Sequence, residues 1–327
     1  MHEVRIMRPH ETKVSLVDDP AYWSEYKWDG SYGVMFKDFT EVEMWGRNWK
    51  KEWLHPNHPE MASELQQISW DKCVLVGEFV FCDPEGNDYF LSAASSQETW
   101  DEVEELTGLH LRAKFIVFDI LEIGSSLDIL ELYDVPLRSR RDILEHEFAK
   151  HDFKFVELNS VAKTVEEKRV LQARAVEGLI HKKPDSIITD GKTREWWKEK
   201  NSVTEDFWAL ATTKGNGKFE HEFGTFLVAT KTGNPYKYEL GDEFTYAGKA
   251  GGGFKDYERT ELFSRTSDTA DELPIADIMM PPKVKFPEKE VLYYHDPLLI
   301  EVTFGRRSMY NILVMPRFQK VRDDIML

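Results

Sequence analysis

The feature that most constrains the fold of this chain is a change of hydrophobic period near Lys200. From Tyr26 to about Lys200, apolar runs recur at VMF, VLVGEFVF, FIVFDIL and EGLIH, several continuous enough to be strands buried on both faces. Between them EMASELQQI, TWDEVEELTGL, SRRDILEHEFAK and TVEEKRVLQARA carry helical spacing, with Thr99 and Thr164 as expected N-caps. Beyond Lys200 the helical spacing stops. FGTFLVATKTGNPYKYELGDEFTYAGKAGGGF alternates apolar and polar residues with Gly, Asn and Pro at turn intervals, and VLYYHDPLLIEVTFGRRSMYNILVMPRF is strand-rich again. The pattern predicts a mixed α and β module followed by a small all-β barrel, with the boundary near Asn201–Thr204.

The size fits this division: 327 residues suffice for one large and one small domain, or for two of medium size. Hydrophobic residues at 41% and aromatics at 13%, ten of them tryptophan, supply real cores and exclude a disordered chain. Cys73 and Cys82 are too few for a disulfide framework and read as buried thiols in a reducing compartment. MHEVRIMRPHETK lacks an apolar h-region and a small-residue cleavage site, and no apolar run approaches the ~18–20 residues that span a bilayer. The expectation is a soluble cytoplasmic protein, in the host cytoplasm if viral, without a membrane partner. The net charge of −17 argues against a polyanionic partner for the surface as a whole, although a local basic face can work on an acidic body.

Three sets of residues carry chemistry. Tyr26-Lys27-Trp28-Asp29-Gly30 sets a lysine at a strand end before an Asp-Gly turn. Such a lysine attacks phosphorus or carbonyl carbon only as the free amine, a form favoured by nearby cations or burial. The same five residues also fit a surface lysine before a hairpin turn. Glu78, within VLVGEFVF, is costly to enclose without a cation, a metal or a donor, and is also compatible with an edge strand facing water. Glu177, in VEGLIHKK, has a similar setting; two converging carboxylates would suit Mg²⁺ on a triphosphate. Arg47, Lys182, Lys198 and Lys200 form a cationic set, and Lys198 and Lys200 share one face if WWKEK is a strand. Taken singly, each also fits a solvated surface charge. GKAGGGF is not a phosphate loop, because Ala250 stands where Ser or Thr is required, and no zinc spacing, HExxH or GxSxG is present.

In order along the chain, these segments resemble the nucleotidyltransferase motifs of ATP-dependent DNA ligases. SEYKWDG looks like motif I (K-x-D-G), MWGRNWK followed by HPE like motif Ia, VGEFVF like motif III and FIVFDIL like motif IIIa. VPLRSRRDIL resembles the P-L-x-x-R-R segment, VEGLIHKK motif IV and REWWKEK motif V. KGNGK, FGTFLVA, AGKAGGGF, LLIEVTF and MPRFQKVRDD are similar to the C-terminal OB module and motif VI. The resemblance implies an α+β fold in compact two-domain form: a nucleotidyltransferase (adenylation) domain over 1–202, with antiparallel sheets and flanking helices, then an all-β OB-fold domain over 203–327. It also implies an enzyme that seals nicks in duplex DNA through a lysyl-AMP on Lys27 and a DNA-adenylate, with ATP and Mg²⁺ and acting as a monomer.

Residue by residue, the resemblance makes Lys27 the nucleophile, Glu25 a reader of adenine and Phe118 a platform for the base. Arg47 and Glu78 would contact the ribose and phosphates, Glu78 and Glu177 the metal, and Lys182, Lys198 and Lys200 the nucleotide. Arg306, Arg307, Arg317, Lys320 and Arg322 would face DNA. Three positions depart from the family pattern: Tyr32 stands at the motif I arginine, Trp49 at the motif Ia glycine and Ile325 at the motif VI lysine. Competing readings are an mRNA-capping guanylyltransferase, which shares K-x-D-G and the OB module, and an inactive OB-containing nucleic-acid binder.

Overall fold

The computed structural model describes residues 4–47, 49, 58–89, 91, 97–126, 128–267, 270–271, 277–285 and 290–325. The chain divides into two compact units, Met1–Asn201 and Ser202–Leu327.

The first unit is built on two sheets. The seven-stranded sheet runs in the order Glu41–Gly46, Ser31–Asp38, Lys72–Cys82, Arg112–Gly124, Ile129–Glu131, with Asp88–Tyr89 beside the third strand and Val156–Leu158 beside the fourth. The five-stranded sheet runs Met7–Thr12, Gly191–Lys200, Gly178–Lys182, Trp23–Tyr26, Val161–Ala162. Pairing is antiparallel except for Met7–Thr12 on Gly191–Lys200 and Val156–Leu158 on Arg112–Gly124.

Lys72–Cys82 shows how the sequence builds this core. Its side chains alternate between faces. Cys73, Leu75, Phe79 and Phe81 join a cluster with Met61, Leu65 and Leu144 from the helices Pro59–Gln66 and Leu137–Phe148. Val74 and Val76 join a second cluster with Met7 and Trp196 of the five-stranded sheet, so the two sheets pack face to face. The strand is central, between Ser31–Asp38 and Arg112–Gly124, which overturns the edge-strand alternative for Glu78. Cys73 and Cys82 are buried free thiols.

Among the described residues of this unit, four helices accompany the sheets at the positions the spacing predicts. Thr164 caps Val165–Arg174 with a capping box, its hydroxyl accepting from Glu167 N–H while Glu167 accepts from Thr164 N–H. Thr99 is a correction: it lies inside the helix Gln97–Thr107, so it is not a cap. The segment VPLRSRRDIL contributes a buried ion pair, Arg140 Nε and Nη2 donating to Asp119 Oδ1 and Oδ2 at 2.7 and 2.9 Å. That fork ties the helix Leu137–Phe148 to the strand residue next to Phe118.

The second unit is a barrel-like sheet. Val203–Lys214 pairs with both Phe223–Lys231 and Val291–Phe304, and Glu243–Ala250 and Arg317–Val321 flank these. Gly252 O accepts from Phe318 N–H at 2.8 Å, which brings the end of Glu243–Ala250 against Arg317–Val321 and draws the sheet round on itself. Within GKAGGGF it is Gly253 that serves this approach: its φ is +98° and a Cβ there would lie 2.1 Å from Phe318 O. One helix, Asp256–Ser267, sits between strands, and its Arg259 guanidinium donates to the carbonyls of Phe223, Gly224 and Gly251.

Candidate active site

Two links carry the first unit's chain between its sheets, and they touch. Lys27–Gly30 leads from Trp23–Tyr26 in the five-stranded sheet to Ser31–Asp38 in the seven-stranded one. The strands flanking Lys27 are thus not partners, and the hairpin alternative is overturned. Asn159 and Ser160 lead back, from Val156–Leu158 to Val161–Ala162. Trp28 Nε1–H donates to Asn159 Oδ1 at 2.9 Å, joining the links.

Glycines set the spacing around Lys27. A Cβ on Gly30 would lie 2.2 Å from Phe79 O, so only glycine lets the link cross this close to the central strand. Gly178 has φ +135° and a Cβ there would lie 2.0 Å from Glu199 O, while its own carbonyl accepts from Lys27 N–H at 3.0 Å.

A cavity of about 330 Å³ opens at these links. Its lining includes Glu25, Lys27, Arg47, Glu78, Phe118, Lys182 and Lys198, residues drawn from six separate stretches of sequence. Glu177 and Lys200 are outside the lining but joined to it by ion pairs. Lys27 Nζ contacts Glu177 Oε1. Lys198 and Lys200 both reach Glu11 Oε2, at 3.7 and 3.3 Å, so they share a face as their spacing predicts.

The electrostatics follow from burial. Lys182 Nζ donates to Glu25 Oε2 at 2.8 Å, both residues being almost wholly buried, and lies 4.6 and 4.3 Å from the ring centres of Phe118 and Trp196. Burial pushes the Glu78 carboxyl up to about 8; Lys27 opposes this and Glu177 adds to it. Burial also raises Glu177 and Asp88, again with Lys27 opposing. Lys198 is held below its ordinary value by burial and then by neighbouring Lys200. Glu177 Oε2 is buried with no hydrogen-bond partner among the described residues. Among those residues no three His, Cys, Asp or Glu side chains converge as a metal cluster. Two carboxylates, one with an unused buried oxygen, instead fit an ion that takes most of its ligands from phosphates and water.

The family model described as ATP dependent DNA ligase domain matches residues 5–200, and that described as ATP dependent DNA ligase C terminal region matches residues 220–325. The chain belongs to the ATP-dependent DNA ligase family.

Its ligase relatives are distant. It is 28% identical over 310 residues to a DNA ligase of Natronomonas pharaonis, covering 92% of this chain and 51% of the relative. It is 28% identical over 252 residues to DNA ligase 2 of Haloquadratum walsbyi, covering 73% and 37%. The chain thus spans about half or less of the length of these two relatives. Among solved structures, one from a structure–function study of Lig E DNA ligases superposes with a TM-score of 0.56 at 16% identity, covering 98% of this chain and 100% of that one. A mycobacterial DNA ligase D complexed with ATP and MES gives 0.50 at 19% identity, covering 97% and 94%. The fold is that of a ligase nucleotidyltransferase domain followed by an OB-fold domain.

The three departures from the ligase pattern have visible settings. Tyr32 lies under Arg47, the guanidinium carbon 4.9 Å from the ring centre. Trp49 adopts φ +54°, the left-handed conformation that suits glycine, and its ring meets that of Phe36 at a tilt, the centres 6.0 Å apart. Asn48 and Lys50 of motif Ia lie outside the described residues. Ile325 packs on the apolar cluster of Trp208, Phe244 and Leu299.

The five basic residues expected to face DNA differ. Arg317 and Lys320 are exposed on the strand Arg317–Val321. Arg307 Nη2 is bound to Glu205 Oε2 at 2.6 Å, and Arg322 Nη1 to both oxygens of Asp206 at 2.7 Å and Nε to Asp324 at 2.9 Å. Arg306 is half-buried, and burial lowers its pKa.

Sequence reasoning missed Arg8 and Lys192, which pair in register on neighbouring strands and line the cavity. It also missed Asn159, and Asp88, whose Oδ2 accepts from Asp29 N–H at 2.6 Å. Their only sequence signal is polarity beside an apolar strand, which marks many loops equally.

Proposed function

We propose that this chain seals nicks in duplex DNA at the expense of ATP, through a covalent adenylyl group on Lys27. The observation that carries the reading is the meeting of Lys27 with Glu25, Arg47, Glu78, Phe118, Lys182 and Lys198 around one cavity. The proposal assigns residues 1–202 to nucleotidyltransfer and 203–327 to the OB-fold domain, supported by the division at Asn201 and Ser202. It includes nicked duplex DNA as partner, Mg²⁺ as metal, and action as a cytoplasmic monomer. Among the described residues no helix is long and apolar enough to cross a membrane.

In the first step Lys27 Nζ, as the free amine, attacks the α-phosphorus of ATP. A nitrogen–phosphorus bond forms, the bond to the bridging oxygen breaks and pyrophosphate leaves. Glu177 Oε1, already in contact with Nζ, is the acceptor at hand for the proton the lysine gives up. Phe118 offers the base an apolar face, and Glu25 an acceptor edge. Lys198, with Arg8 and Lys192 on the same wall and Lys200 behind it, stabilises negative charge that grows on the phosphates. Glu78 and Glu177 Oε2 would hold Mg²⁺, which when bound would neutralise phosphate oxygens.

In the second step an oxygen of the nick's 5′-phosphate displaces Lys27 from phosphorus. In the third, the adjacent 3′-hydroxyl attacks that 5′-phosphate and AMP departs. Most of the catalysis is positioning and charge neutralisation.

The test is to incubate the full chain with Mg²⁺ and α-labelled ATP or GTP, then add nicked duplex. Label from ATP that moves to DNA and leaves as AMP supports the reading. Label from ATP that never reaches DNA removes nick sealing, and label from GTP moves the chain to the capping reaction.

A further inference from the structure

Asn159 is 3% exposed and spends every polar group of its side chain on the segment that carries Lys27. The indole N–H of Trp28 can only donate, so the amide atom facing it at 2.9 Å must be the oxygen. That fixes the other end of the amide. Nδ2 donates to Glu25 Oε2 at 3.1 Å and to Tyr26 O at 3.4 Å. Asn159 N–H in turn donates to Val117 O at 2.8 Å, one residue before Phe118. One side chain, anchored on the seven-stranded sheet, therefore grips residues on both sides of Lys27 and sits beside the aromatic wall of the cavity.

The contact with Glu25 has a chemical consequence. Glu25 is 3% exposed, lines the cavity and receives both Asn159 Nδ2 and Lys182 Nζ on the same oxygen. A carboxylate held by two donors keeps its rotamer, and as a carboxylate it presents only acceptors to whatever enters. A 6-aminopurine offers such an edge an N–H, whereas a 6-oxopurine opposes it with another lone pair. Buried polar groups left facing the wrong partner are what make such sites selective.

We propose that Asn159 is a specificity-determining residue, which selects 6-amino over 6-oxo purine nucleotides by fixing the orientation of Glu25. This rests on the nucleotide-binding reading of the cavity. It makes Asn159 a positioning residue, acting on the base through Glu25.

The test uses the full chain, Mg²⁺ and initial rates of protein labelling over a range of α-labelled ATP and GTP concentrations, alongside thermal melts. Asn159→Asp can still accept from Trp28, but it sets a carboxyl where Glu25 met a donor. Lone pairs then face Glu25 Oε2 where an N–H had held it, and the orientation of Glu25 is no longer fixed. The KM for ATP should rise about tenfold or more and the preference for ATP over GTP fall by a similar factor. The maximal labelling rate should move by less than about threefold. Trp28→Phe removes the N–H that orients the amide, together with part of the ring that packs on Val80, Cys82 and Ile116, and should lower the preference in the same direction by more than any fall in its melting midpoint explains.

Equal losses on both nucleotides, with preference unchanged and following a lowered melting midpoint, would mean a merely structural Asn159 and overturn the proposal. So would wild-type preference in both variants while the unmutated chain labels with ATP, a result that leaves the adenylation reading intact. An unmutated chain that labels with neither nucleotide would remove that reading and this proposal together.

Discussion

Lys27 and Glu177 are an ion pair whose second carboxylate oxygen, Glu177 Oε2, is buried and without a hydrogen-bond partner among the described residues. The pairing places the proposed nucleophile and a proposed metal ligand on one carboxylate. Glu177→Gln keeps the shape but removes the charge that both partners use. Self-adenylation should slow on the order of 100-fold, with part of the loss recovered at raised Mg²⁺. Initial rates of label uptake over a Mg²⁺ series check this; a rate equal to wild type at every Mg²⁺ concentration would remove Glu177 from the reaction.

Arg140 and Asp119 make a prediction about stability alone. Both are almost wholly buried, and the guanidinium forks onto the carboxylate. Arg140→Ala strands that carboxylate and should cost about 3–5 kcal/mol. Urea unfolding of the first unit's transition measures it, and a loss under about 1 kcal/mol would mean Asp119 finds another partner.

His181 carries a pH dependence. It is fully buried, with Nδ1 2.8 Å from Ser24 Oγ and Nε2 2.9 Å from Glu199 Oε2, and burial holds it below its ordinary 6.5 although Glu199 opposes. The unfolded chain therefore takes up the proton first as pH falls. The stability this site contributes is complete well above 6.5, declines as pH drops below it and levels off under the folded-state value. His181→Gln removes that decline. Urea midpoints at pH 7.5 and 5.5 should fall further for wild type than for the variant; equal falls would contradict the assignment.

Arg317 and Lys320 are exposed, whereas Arg307 and Arg322 already hold carboxylates. If the first two meet phosphates, Arg317→Ala and Lys320→Ala should each reduce the slope of log affinity against log salt for nicked duplex by about one. Binding titrations from low to physiological salt decide it. Unchanged slopes would take this strand out of the DNA contact.

Much of this was legible in the sequence because side-chain period reports local burial. VLVGEFVF reads as a strand enclosed on both faces and is one, and Thr164 with Glu167 reads as a cap and forms one. WWKEK sets Lys198 and Lys200 on one face, where they share Glu11. What period cannot report is which strands pair. Asp29-Gly30 has the composition of a hairpin turn, yet it joins two different sheets, and only the long-range pairing of Trp23–Tyr26 with Gly178–Lys182 reveals that. Asn159 was invisible for the same reason: its side-chain partners lie more than a hundred residues away in sequence. The helix Asp256–Ser267 escaped notice because few apolar residues mark its inner face, Leu262 among them, while Arg259 fills much of its burial.

The central claim is that Lys27 is the residue adenylated. The most direct measurement is to incubate the full chain with ATP and Mg²⁺, digest it and locate the adenylyl group by tandem mass spectrometry under conditions that preserve the nitrogen–phosphorus bond. A single adenylyl group on Lys27, lost in Lys27→Ala, is the predicted result. An adduct on another residue, or one that persists in Lys27→Ala at the wild-type level, would contradict it.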